Sequence, residues 1–339
     1  MSILDTLIPR AQTANATIVL PEGQDPRVIA AAVKASSTKL CVPIVLGTPD
    51  EIAAAETQVG VTLASAGVAV IDYTTSDLLP RLAAAFYEKR KEKGLTEEEA
   101  LATVKGKRLY FGNMMVALDL AQGMVAGSIA STGDMLRSAF QCVGTANGIR
   151  LASSAFIMDL KTPAPSGETV MLFGDCAVNP NPTAEELVDI AHATAISYRK
   201  LIGKRPRIAF LSFSTKGSAT HNLVAKVSKA AELTAARFAE QGIDAIVDGE
   251  IQADAAIVPS IGTSKNKGGT IQGDANVLIF PDLQSGNICY KLVERLAGAA
   301  AIGPVVQGLA KPVNDLSRGC SAEDIYGTMC LTILQGIQT

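Results

Sequence analysis

Aromatic side chains are scarce in this sequence. The 339 residues include no Trp, and aromatic residues together make up only 4% of the chain. A nucleic-acid binder that stacks bases on aromatic rings is therefore not expected. Apolar residues still reach 48%, with Ala and Gly prominent among the small ones. A chain of this length and composition predicts two domains, each with its own core.

The sequence also lacks a large excess of charge of either sign. Its 30 Lys and Arg residues against 33 Asp and Glu residues give a net charge of −3. A broad surface for nucleic acid or another polyanion is therefore not predicted. An anionic substrate would depend on a few Arg or Lys residues that are placed locally.

Residues that commonly bind metals are few. The chain has two His and six scattered Cys, with no C-x-x-C pair, so no zinc site is predicted. The cysteines are expected to be free thiols in a reducing compartment. The N-terminal segment lacks the pattern of a secretory signal, and no run of about 18 apolar residues suits a membrane span. We therefore predict a cytoplasmic location and no membrane contact.

Several motifs of nucleotide and hydrolase chemistry are missing. No G-x-G-x-x-G follows a predicted strand, and no G-x-x-x-x-G-K-[ST] occurs. The sequences H-E-x-x-H and G-x-S-x-G are absent as well. The sequence thus gives no support to a nicotinamide site, a P-loop, a zinc protease or an α/β-hydrolase.

Short apolar runs alternate with helical patterns along the chain. Most of the runs are apolar at consecutive positions, which is typical of strands buried on both faces of a parallel sheet. The predicted strands are 16–20, 42–46, 68–73, 124–129, 170–173, 207–213, 245–247, 277–280 and 302–306. The repeated strand–helix order predicts an α/β architecture.

Helix starts are marked by capping sequences. The pair Asp25-Pro26 suits a cap followed by a Pro in the first helical turn. Three Thr-x-x-Glu capping boxes begin at Thr48, Thr96 and Thr183. A long amphipathic helix is predicted over 184–201.

Three further segments stand out between the periodic ones. Segments 142–148 and 298–303 are predicted to be joints between domains. The segment 262–273 is rich in Gly, Lys, Ser and Thr, and this composition predicts an exposed loop.

A segment near the C-terminus places reactive groups close together. Ser317 lies beside Arg318, and Asp324 follows at the start of a predicted helix. A guanidinium can hold a phosphate by two parallel hydrogen bonds, a hydroxyl can donate to an oxyanion, and a carboxylate can accept a proton. The residues alone also allow a structural interpretation, in which Ser321 and Asp324 cap a helix and Asp315 pairs with Arg318.

This segment, VNDLSRGCS at 313–321, resembles the most characteristic sequence of the phosphate acetyltransferases. Six more segments resemble the same family in the same order. They are LPEGQDPRV (20–28), YFGNMMVALDLAQGMVAGSIASTGDMLRSA (110–139), FGDCAVNPNPTAEEL (173–187), FLSFSTKGSA (210–219), DGEIQADAAIVP (248–259) and ANVLIFPDLQSGNICYKLVERLAGAAAIGP (275–304). The resemblance extends over residues 16–335.

The resemblance implies a particular architecture. It implies two α/β domains with largely parallel sheets and an active site in the interdomain cleft, similar to the isocitrate and isopropylmalate dehydrogenases. The first domain would comprise residues 1–146 and 302–339, and the second, 147–301, would be inserted into it. Members of the family are commonly homodimers, which we expect here as well.

The resemblance also implies roles for individual residues. It implies that the catalytic residues are Ser317, Arg318 and Asp324. Further arginines associated with substrates would be Arg137, Arg90 and Arg27, the last of them with coenzyme A. From the residues alone, Arg90 and Arg27 suit exposed helix positions equally well, whereas Arg137 lies among apolar neighbours that favour a functional role.

Two turns rich in Ser and Thr are additional candidates. The stretch 128–133, with Ser128 and Thr132, leads into a predicted helix and could offer backbone N–H groups to a phosphate. The stretch 214–218, which begins with Ser214, could do the same.

Cys176 and the two histidines are predicted to have no catalytic role. No His lies near Cys176 in the sequence to activate it, so we predict a buried thiol. His192 and His221 are predicted to be structural or exposed.

The implied reaction is the reversible transfer of an acetyl group between acetyl phosphate and coenzyme A. The thiolate would attack directly in a ternary complex, with coenzyme A and phosphate as substrates and with no tightly bound cofactor and no metal. Two alternatives stay open: a phosphate butyryltransferase, and a non-catalytic domain that senses acyl-coenzyme A. The intact set of Ser317, Arg318 and Asp324 favours an enzyme.

Overall fold

A computed structural model describes residues 2–146 and 149–337. The chain divides into two compact units. The first unit is Met1–Asn147 together with Leu309–Thr339, and the second unit is Gly148–Gly308. Each unit contains one sheet and its own helices.

The first unit is built on a five-stranded sheet in which every pair of neighbours is parallel. Its strands are β1 (Thr17–Leu20), β2 (Val42–Leu46), β3 (Ala69–Ile71), β4 (Gly123–Ala126) and β11 (Val313–Asp315). Their order across the sheet is β11-β4-β1-β2-β3. The central strand is buried along Ile18, Val19 and Leu20, which explains why its apolar residues are consecutive.

Eight helices accompany this sheet in the described part of the first unit. They are α1 (Ile3–Gln12), α2 (Pro26–Ser37), α3 (Pro49–Val59), α4 (Leu79–Arg90), α5 (Glu97–Gly106), α6 (Arg108–Ala117), α7 (Thr132–Cys142) and α13 (Ala322–Gly336). The predicted caps of α2, α3 and α5 are confirmed. Asp25 accepts a hydrogen bond from a first-turn amide of α2, and Thr48 and Thr96 form capping boxes with Glu51 and Glu99.

The second unit has a mixed six-stranded sheet. Its strands are β5 (Ser153–Asp159), β6 (Val170–Gly174), β7 (Arg207–Leu211), β8 (Ile246–Ile251), β9 (Val277–Ile279) and β10 (Ala300–Gln307), in the order β10-β5-β6-β9-β7-β8. The pairs β10–β5 and β5–β6 are antiparallel, and the other three pairs are parallel. The predicted α/β class with largely parallel sheets is confirmed.

Five helices lie in the described part of the second unit. They are α8 (Ala184–Ile202), α9 (Asn222–Gln241), α10 (Ala253–Ile257), α11 (Pro259–Lys265) and α12 (Leu283–Ala297). The capping box of Thr183 with Glu186 begins α8 as predicted. His221 caps α9, because its Nδ1 accepts the amide of Leu223, so its predicted structural role is confirmed.

Each of the nine predicted strands overlaps a strand of the structure, and two strands were missed. Strand β5 begins with Ser153 and Ser154, and strand β11 has three residues of which two are Asn314 and Asp315. Neither β5 nor β11 begins with the kind of apolar run that predicted the other nine strands. The predicted domain boundary between 301 and 302 falls inside β10, which belongs to the second unit.

The prediction of an exposed loop over 262–273 is correct for Lys267, Gly268 and Thr270 and wrong for the start of the segment and for its buried residues. Helix α11 extends to Lys265, and Asn266 is fully buried. The side-chain amide of Asn266 donates to an Asp248 carboxylate oxygen at 2.8 Å and to the carbonyl of Ile271 at 2.6 Å. The segment is polar because its side chains bond to its own backbone and to a buried carboxylate.

No helix in residues 2–146 and 149–337 is both long and apolar enough to cross a bilayer.

Candidate active site

The predicted site residues of the first unit cluster where three neighbouring parallel strands end. Strand β1 leads to Glu22 and Arg27, strand β4 leads to the loop before α7, and strand β11 leads to Ser317 and Arg318. Because the strands are parallel, their carboxyl ends meet at one edge of the sheet. The chain order reverses between β1 and β4, and ligands of open α/β sheets bind beside such a reversal.

A buried carboxylate organises the loop after β4. Glu22 is 2% exposed, and its Oε2 accepts the amides of Gly127 and Ser128, both at 2.8 Å, and the Ser128 hydroxyl at 2.9 Å. Its Oε1 accepts the amides of Ile129 at 3.1 Å and Ala130 at 2.7 Å. Five donors therefore surround one internal carboxylate.

The hydrogen bonds to Glu22 argue against the predicted contact of Ser128 with a phosphate. The amides and the hydroxyl that a phosphate would use already donate to Glu22, so an anion would have to displace that carboxylate. Farther along, Thr132 is the first residue of α7, and its hydroxyl donates to Asp315 Oδ2 at 2.6 Å. In the first turn of α7, the amide of Asp134 already donates to the hydroxyl of Ser131 at 3.1 Å.

The guanidinium of Arg27 joins all three loops. Its Nε and Nη2 donate to the Asp25 carboxylate, and Nη2 also donates to the carbonyl of Ser128 at 3.0 Å. Its Nη1 donates to the carbonyls of Arg318 and Cys320, each at 2.8 Å. A guanidinium has five N–H groups, and all five are engaged within the chain. The predicted contact of Arg27 with coenzyme A stays a prediction.

Ser317 and Arg318 are exposed at the turn that Arg27 holds. The amide of Gly319 donates to the Ser317 hydroxyl at 3.3 Å, and the amide of Cys320 donates to the Ser317 carbonyl at 2.9 Å. The Arg318 guanidinium makes no ion pair with any residue that the structure describes. The surface ion pair of Asp315 with Arg318 that the sequence allowed is therefore wrong, since Asp315 is buried.

Asp324 is exposed and caps α13. One oxygen, Oδ2, accepts the amide and the hydroxyl of Ser321, both at 2.8 Å, and the amide of Asp324 donates to the Ser321 hydroxyl at 3.2 Å. The capping role that the sequence allowed is confirmed. Both cap bonds use Oδ2, so the second oxygen remains for another proton donor.

A cavity of about 440 Å³ lies beside the start of α7 in the first unit. Its lining includes Arg108, Tyr110, Asp134 and Arg137. The Arg137 guanidinium pairs with Asp134 at 3.0 Å, and both side chains are largely exposed. Such an exposed pair contributes little to stability, which leaves Arg137 available to an anionic ligand.

Arg90 approaches the same region from the end of α4. Burial raises the pKa of Tyr110, and the charges of Arg137 and Arg90 oppose that rise. Both guanidinium groups therefore act electrostatically on one phenol. The structure thus brings Arg90 and Arg137 toward a common neighbour.

Ser214 lies in the second unit, unlike the other eight predicted residues. It is fully buried, and its hydroxyl donates to a Glu250 carboxylate oxygen at 2.9 Å and accepts the amide of Ala219 at 3.1 Å. The amide of Gly217 donates to the same Glu250 oxygen at 2.7 Å. This turn, like the one at Ser128, encloses a carboxylate of the chain itself.

Asp315 is a buried acid that the sequence did not single out for chemistry. It is 2% exposed, its Oδ2 accepts the Thr132 hydroxyl, and its Oδ1 is buried with no hydrogen-bond partner among the described residues. Burial raises the pKa of Asp315 to about 6, although the bond from Thr132 and the charge of Arg318 oppose the rise. Burial therefore favours the protonated form of this carboxyl group more than in an ordinary aspartate.

The six cysteines are free and have weakly acidic thiols. Burial raises the pKa of Cys320, in the turn after β11, to about 11, and it raises the pKa of Cys41 and Cys330 to about 12. Burial also raises the pKa of Cys176 well above its usual range, which confirms the predicted buried thiol. Thiols of this kind are poor nucleophiles at neutral pH.

Within the described ranges, no group of three or more His, Cys, Asp or Glu side chains has an arrangement that suits a metal ion.

The fold and this edge of the sheet define a two-unit α/β protein whose first unit presents Ser317 and Arg318 beside the reversal of chain order. A family model described as "Phosphate acetyl/butaryl transferase" matches residues 2–333. The chain belongs to this family.

Several known proteins are similar to the chain along its length. A phosphate acetyltransferase of Thermoanaerobacterium thermosaccharolyticum is 47% identical over 335 residues, which cover 99% of each protein. The structure of the EutD phosphotransacetylase of Staphylococcus aureus has a TM-score of 0.90 at 41% identity, covering 99% of this chain and 98% of that one. A 4-hydroxythreonine-4-phosphate dehydrogenase of Klebsiella pneumoniae, at 13% identity, covers 95% of this chain and all of its own, with a TM-score of 0.53. It shares the fold alone, in agreement with the predicted likeness to dehydrogenases.

The titration of Asp315 predicts how a substitution changes stability with pH. Its folded-state pKa of about 6 lies above the ordinary value of 3.8, so the contribution of Asp315 to wild-type stability falls as pH rises from about 4 through 6. Asp315→Asn keeps the shape without that titration. Between pH 5 and pH 8, we expect the stability of the variant relative to wild type to increase by about 1.4 kcal/mol.

Urea unfolding at both pH values measures this difference. The control is Asp50→Asn, the same change at an exposed carboxyl in the first turn of α3. A constant difference between Asp315→Asn and wild type at the two pH values would contradict the assigned titration.

Proposed function

We propose that this enzyme transfers an acetyl group reversibly between acetyl phosphate and coenzyme A, by direct attack of the thiolate in a ternary complex. The observation that carries the proposal is the turn at Ser317 and Arg318. Its two side chains are exposed at the carboxyl edge of a parallel sheet, while Arg27 fixes its backbone through two carbonyls. The name of the similar relatives and the matched family support the same reaction.

The reaction has two demands that the turn meets. The thiolate sulfur forms a bond to the carbonyl carbon of the acetyl group. The bond from that carbon to the phosphate oxygen breaks, and phosphate leaves with the electron pair. Arg318 holds that anion by parallel hydrogen bonds, since no acid of the described chain pairs with its guanidinium. The Ser317 hydroxyl donates to the carbonyl oxygen of the acetyl group, where negative charge develops.

The thiol must lose its proton, and Asp324 is the proposed acceptor. Ordinary carboxyl and thiol groups have pKa values of about 3.9 and 8.5. This difference makes a separate proton transfer from the thiol to the carboxylate unfavourable by roughly 6 kcal/mol. Asp324 is exposed at the start of α13, and its carboxylate lies in contact with solvent. We therefore propose that the proton moves to Oδ1 of Asp324 in concert with sulfur attack, because Oδ2 is engaged in the helix cap.

The remaining predicted residues have binding or positioning roles in this proposal. Arg137 and Arg90 bind the phosphate groups of coenzyme A or acetyl phosphate beside the cavity of α7. Arg27 positions the catalytic turn, because its donors are engaged by Asp25 and by three carbonyls. Ser128 and Thr132 shape the neighbouring loop, and Ser214 is proposed to hold its own turn for coenzyme A.

A covalent acetyl-cysteine is not part of the proposal. Burial raises the pKa of Cys320 and Cys176, and neither thiol has a His or Lys side chain as a hydrogen-bond partner. Coenzyme A acts as a substrate in this proposal, and the proposal includes no tightly bound cofactor.

Turnover of two acyl phosphates tests the function. We expect thioester formation, followed by its absorbance, to be at least tenfold faster with acetyl phosphate than with butyryl phosphate, since a few methylenes change specificity by about that factor. Faster butyryl transfer would favour the butyryltransferase alternative. Binding of acetyl-coenzyme A without any turnover would favour the sensing domain.

The two roles of Asp324 can be separated by one substitution. Asp324→Asn keeps the shape and some capping ability but removes the base, so we expect a melting temperature within a few degrees of wild type. Turnover should fall at least about a hundredfold, as is usual for loss of a general base. Because raising the pH ionises the thiol of coenzyme A directly, it should restore part of the activity.

Ser321→Ala is the matched control, since it weakens the same cap and leaves the carboxylate. If Asp324→Asn melts lower but turns over like wild type, Asp324 acts only as a cap.

We also propose a cytoplasmic homodimer. Three exposed apolar residues, Ile288, Leu292 and Leu296, recur every four positions on α12 and form one stripe. Such a stripe suits burial against a second copy of the chain. Sedimentation of wild type and Leu292→Glu would test this, with a monomeric wild type as the contrary result.

The six free thiols agree with a reducing compartment.

A further inference from the structure

Asp315 connects two segments that the proposed function places at the phosphate. It is the last residue of β11, two positions before Ser317. Its Oδ2 accepts the hydroxyl of Thr132, the first residue of α7, at 2.6 Å. Helix α7 also carries Arg137. One carboxyl group therefore joins the catalytic turn to the helix that presents a second phosphate-binding arginine.

The other carboxylate oxygen of Asp315, Oδ1, is closely packed. Oδ1 is buried and has no hydrogen-bond partner in the described part of the chain. The backbone at Gly127 lies directly against it, since a Cβ built there would be 2.3 Å from Oδ1 and 2.7 Å from the Leu316 amide nitrogen. Gly127 has φ +113°, a conformation that favours Gly. The carboxyl group cannot rotate toward solvent while this loop is in place.

The charges that face Asp315 act in opposite directions. Glu22, from the loop after β1, disfavours its ionised form, and Arg318, from its own turn, favours it. The elements packed against β11 add few other charges there. Strand β4 has none, α13 meets β11 through the uncharged Thr332 and Gln335, and the Asp134–Arg137 pair of α7 is exposed.

We propose that Asp315 is a positioning residue that takes up one proton from solvent, on Oδ1, when the phosphate group of the substrate binds to Arg318. This inference rests on the proposed phosphate contact of Arg318. When a dianion engages the guanidinium, Arg318 no longer offsets the ionised carboxylate, and the dianion adds repulsion of its own. Since the carboxyl group cannot turn away, protonation relieves the repulsion.

The consequence is a linkage between proton and phosphate. Burial raises the pKa of Asp315 to about 6, so the group is partly ionised near neutral pH and can respond. A further rise of about one unit on binding would take up about half a proton at pH 6.5. It would also weaken phosphate binding about tenfold between acidic and alkaline pH, beyond the titration of phosphate itself.

Calorimetry of inorganic phosphate binding at pH 6.5 tests the proposal. Titrations in two buffers with different ionisation enthalpies give the number of protons taken up. Protons taken up by phosphate are common to all variants, so the difference between wild type and Asp315→Asn isolates the carboxyl group. We expect wild type to take up about half a proton more than Asp315→Asn, and Asp50→Asn to behave like wild type.

Affinity provides a second readout that a merely structural role would not produce. Asn resembles the protonated acid, so Asp315→Asn should bind phosphate at least as tightly as wild type, and most clearly so at pH 8. Equal proton uptake in wild type and Asp315→Asn, or loss of phosphate binding in this variant, would overturn the inference.

Arg318→Lys separates this inference from the proposed function. If Arg318→Lys binds phosphate as wild type does, the proposed phosphate contact fails, and the inference fails with it. If Arg318→Lys weakens phosphate binding while Asp315→Asn leaves proton uptake unchanged, only the role of Asp315 is wrong.

Discussion

The engagement of Arg27 by three loops is the interaction on which the candidate site depends. Its guanidinium is held by Asp25 and donates to backbone carbonyls of Ser128, Arg318 and Cys320. These carbonyls belong to loops that would otherwise only end near one another at the edge of a sheet. A planar group with five donors can satisfy all of them at once, which an ammonium group cannot do. The exposed side chain of Arg318 thus projects from a turn whose backbone is fixed.

Glu22 and Asp315 complete this framework with two buried carboxyl groups of different character. Glu22 has five hydrogen-bond donors and holds the loop after β4 in one conformation. Asp315 accepts one side-chain hydrogen bond, from Thr132, and burial raises its pKa to about 6, although the Leu316 amide opposes the rise. The first carboxyl group is therefore structural, whereas the second can respond to charge. Arg318 and Arg137, which are proposed to bind anions near these two internal acids, are both exposed.

Local sequence patterns predicted the elements of the fold and the residues of the turn. Consecutive apolar residues predicted most strands, since a strand buried on both faces must have them, and capping boxes predicted helix starts. Strand β11 was missed because Asn314 and Asp315 look like a loop, although both are buried by partners elsewhere in the chain. Ser317, Arg318 and Asp324 were singled out because they lie close together in a segment that resembles the family's most characteristic sequence, and their catalytic roles stay a prediction.

The contacts of Glu22 and Arg27 with distant loops could not be predicted from local sequence patterns. Glu22 contacts the loop after β4 across a separation of more than a hundred residues, and Arg27 contacts the turn at Arg318 across nearly three hundred. Nothing near Ser128 in the sequence shows that its amide is already engaged. The same limitation applies to Ser214, whose hydroxyl donates to Glu250 rather than remaining free for a ligand. Which N–H and O–H groups are already engaged can be determined only from the folded structure.

The most direct test of this account is the kinetic and thermal behaviour of Arg27→Lys. Lys keeps the charge but cannot bond Asp25 and three carbonyls together. We therefore expect turnover to fall at least about tenfold, KM for coenzyme A to change little, and stability to fall by about 2 kcal/mol through the lost charged hydrogen bonds. The matched control is Arg205→Lys, at an exposed ion pair with Asp244. A raised KM for coenzyme A with normal turnover and normal stability would show that Arg27 contacts the ligand, and would contradict its role as the support of the catalytic turn.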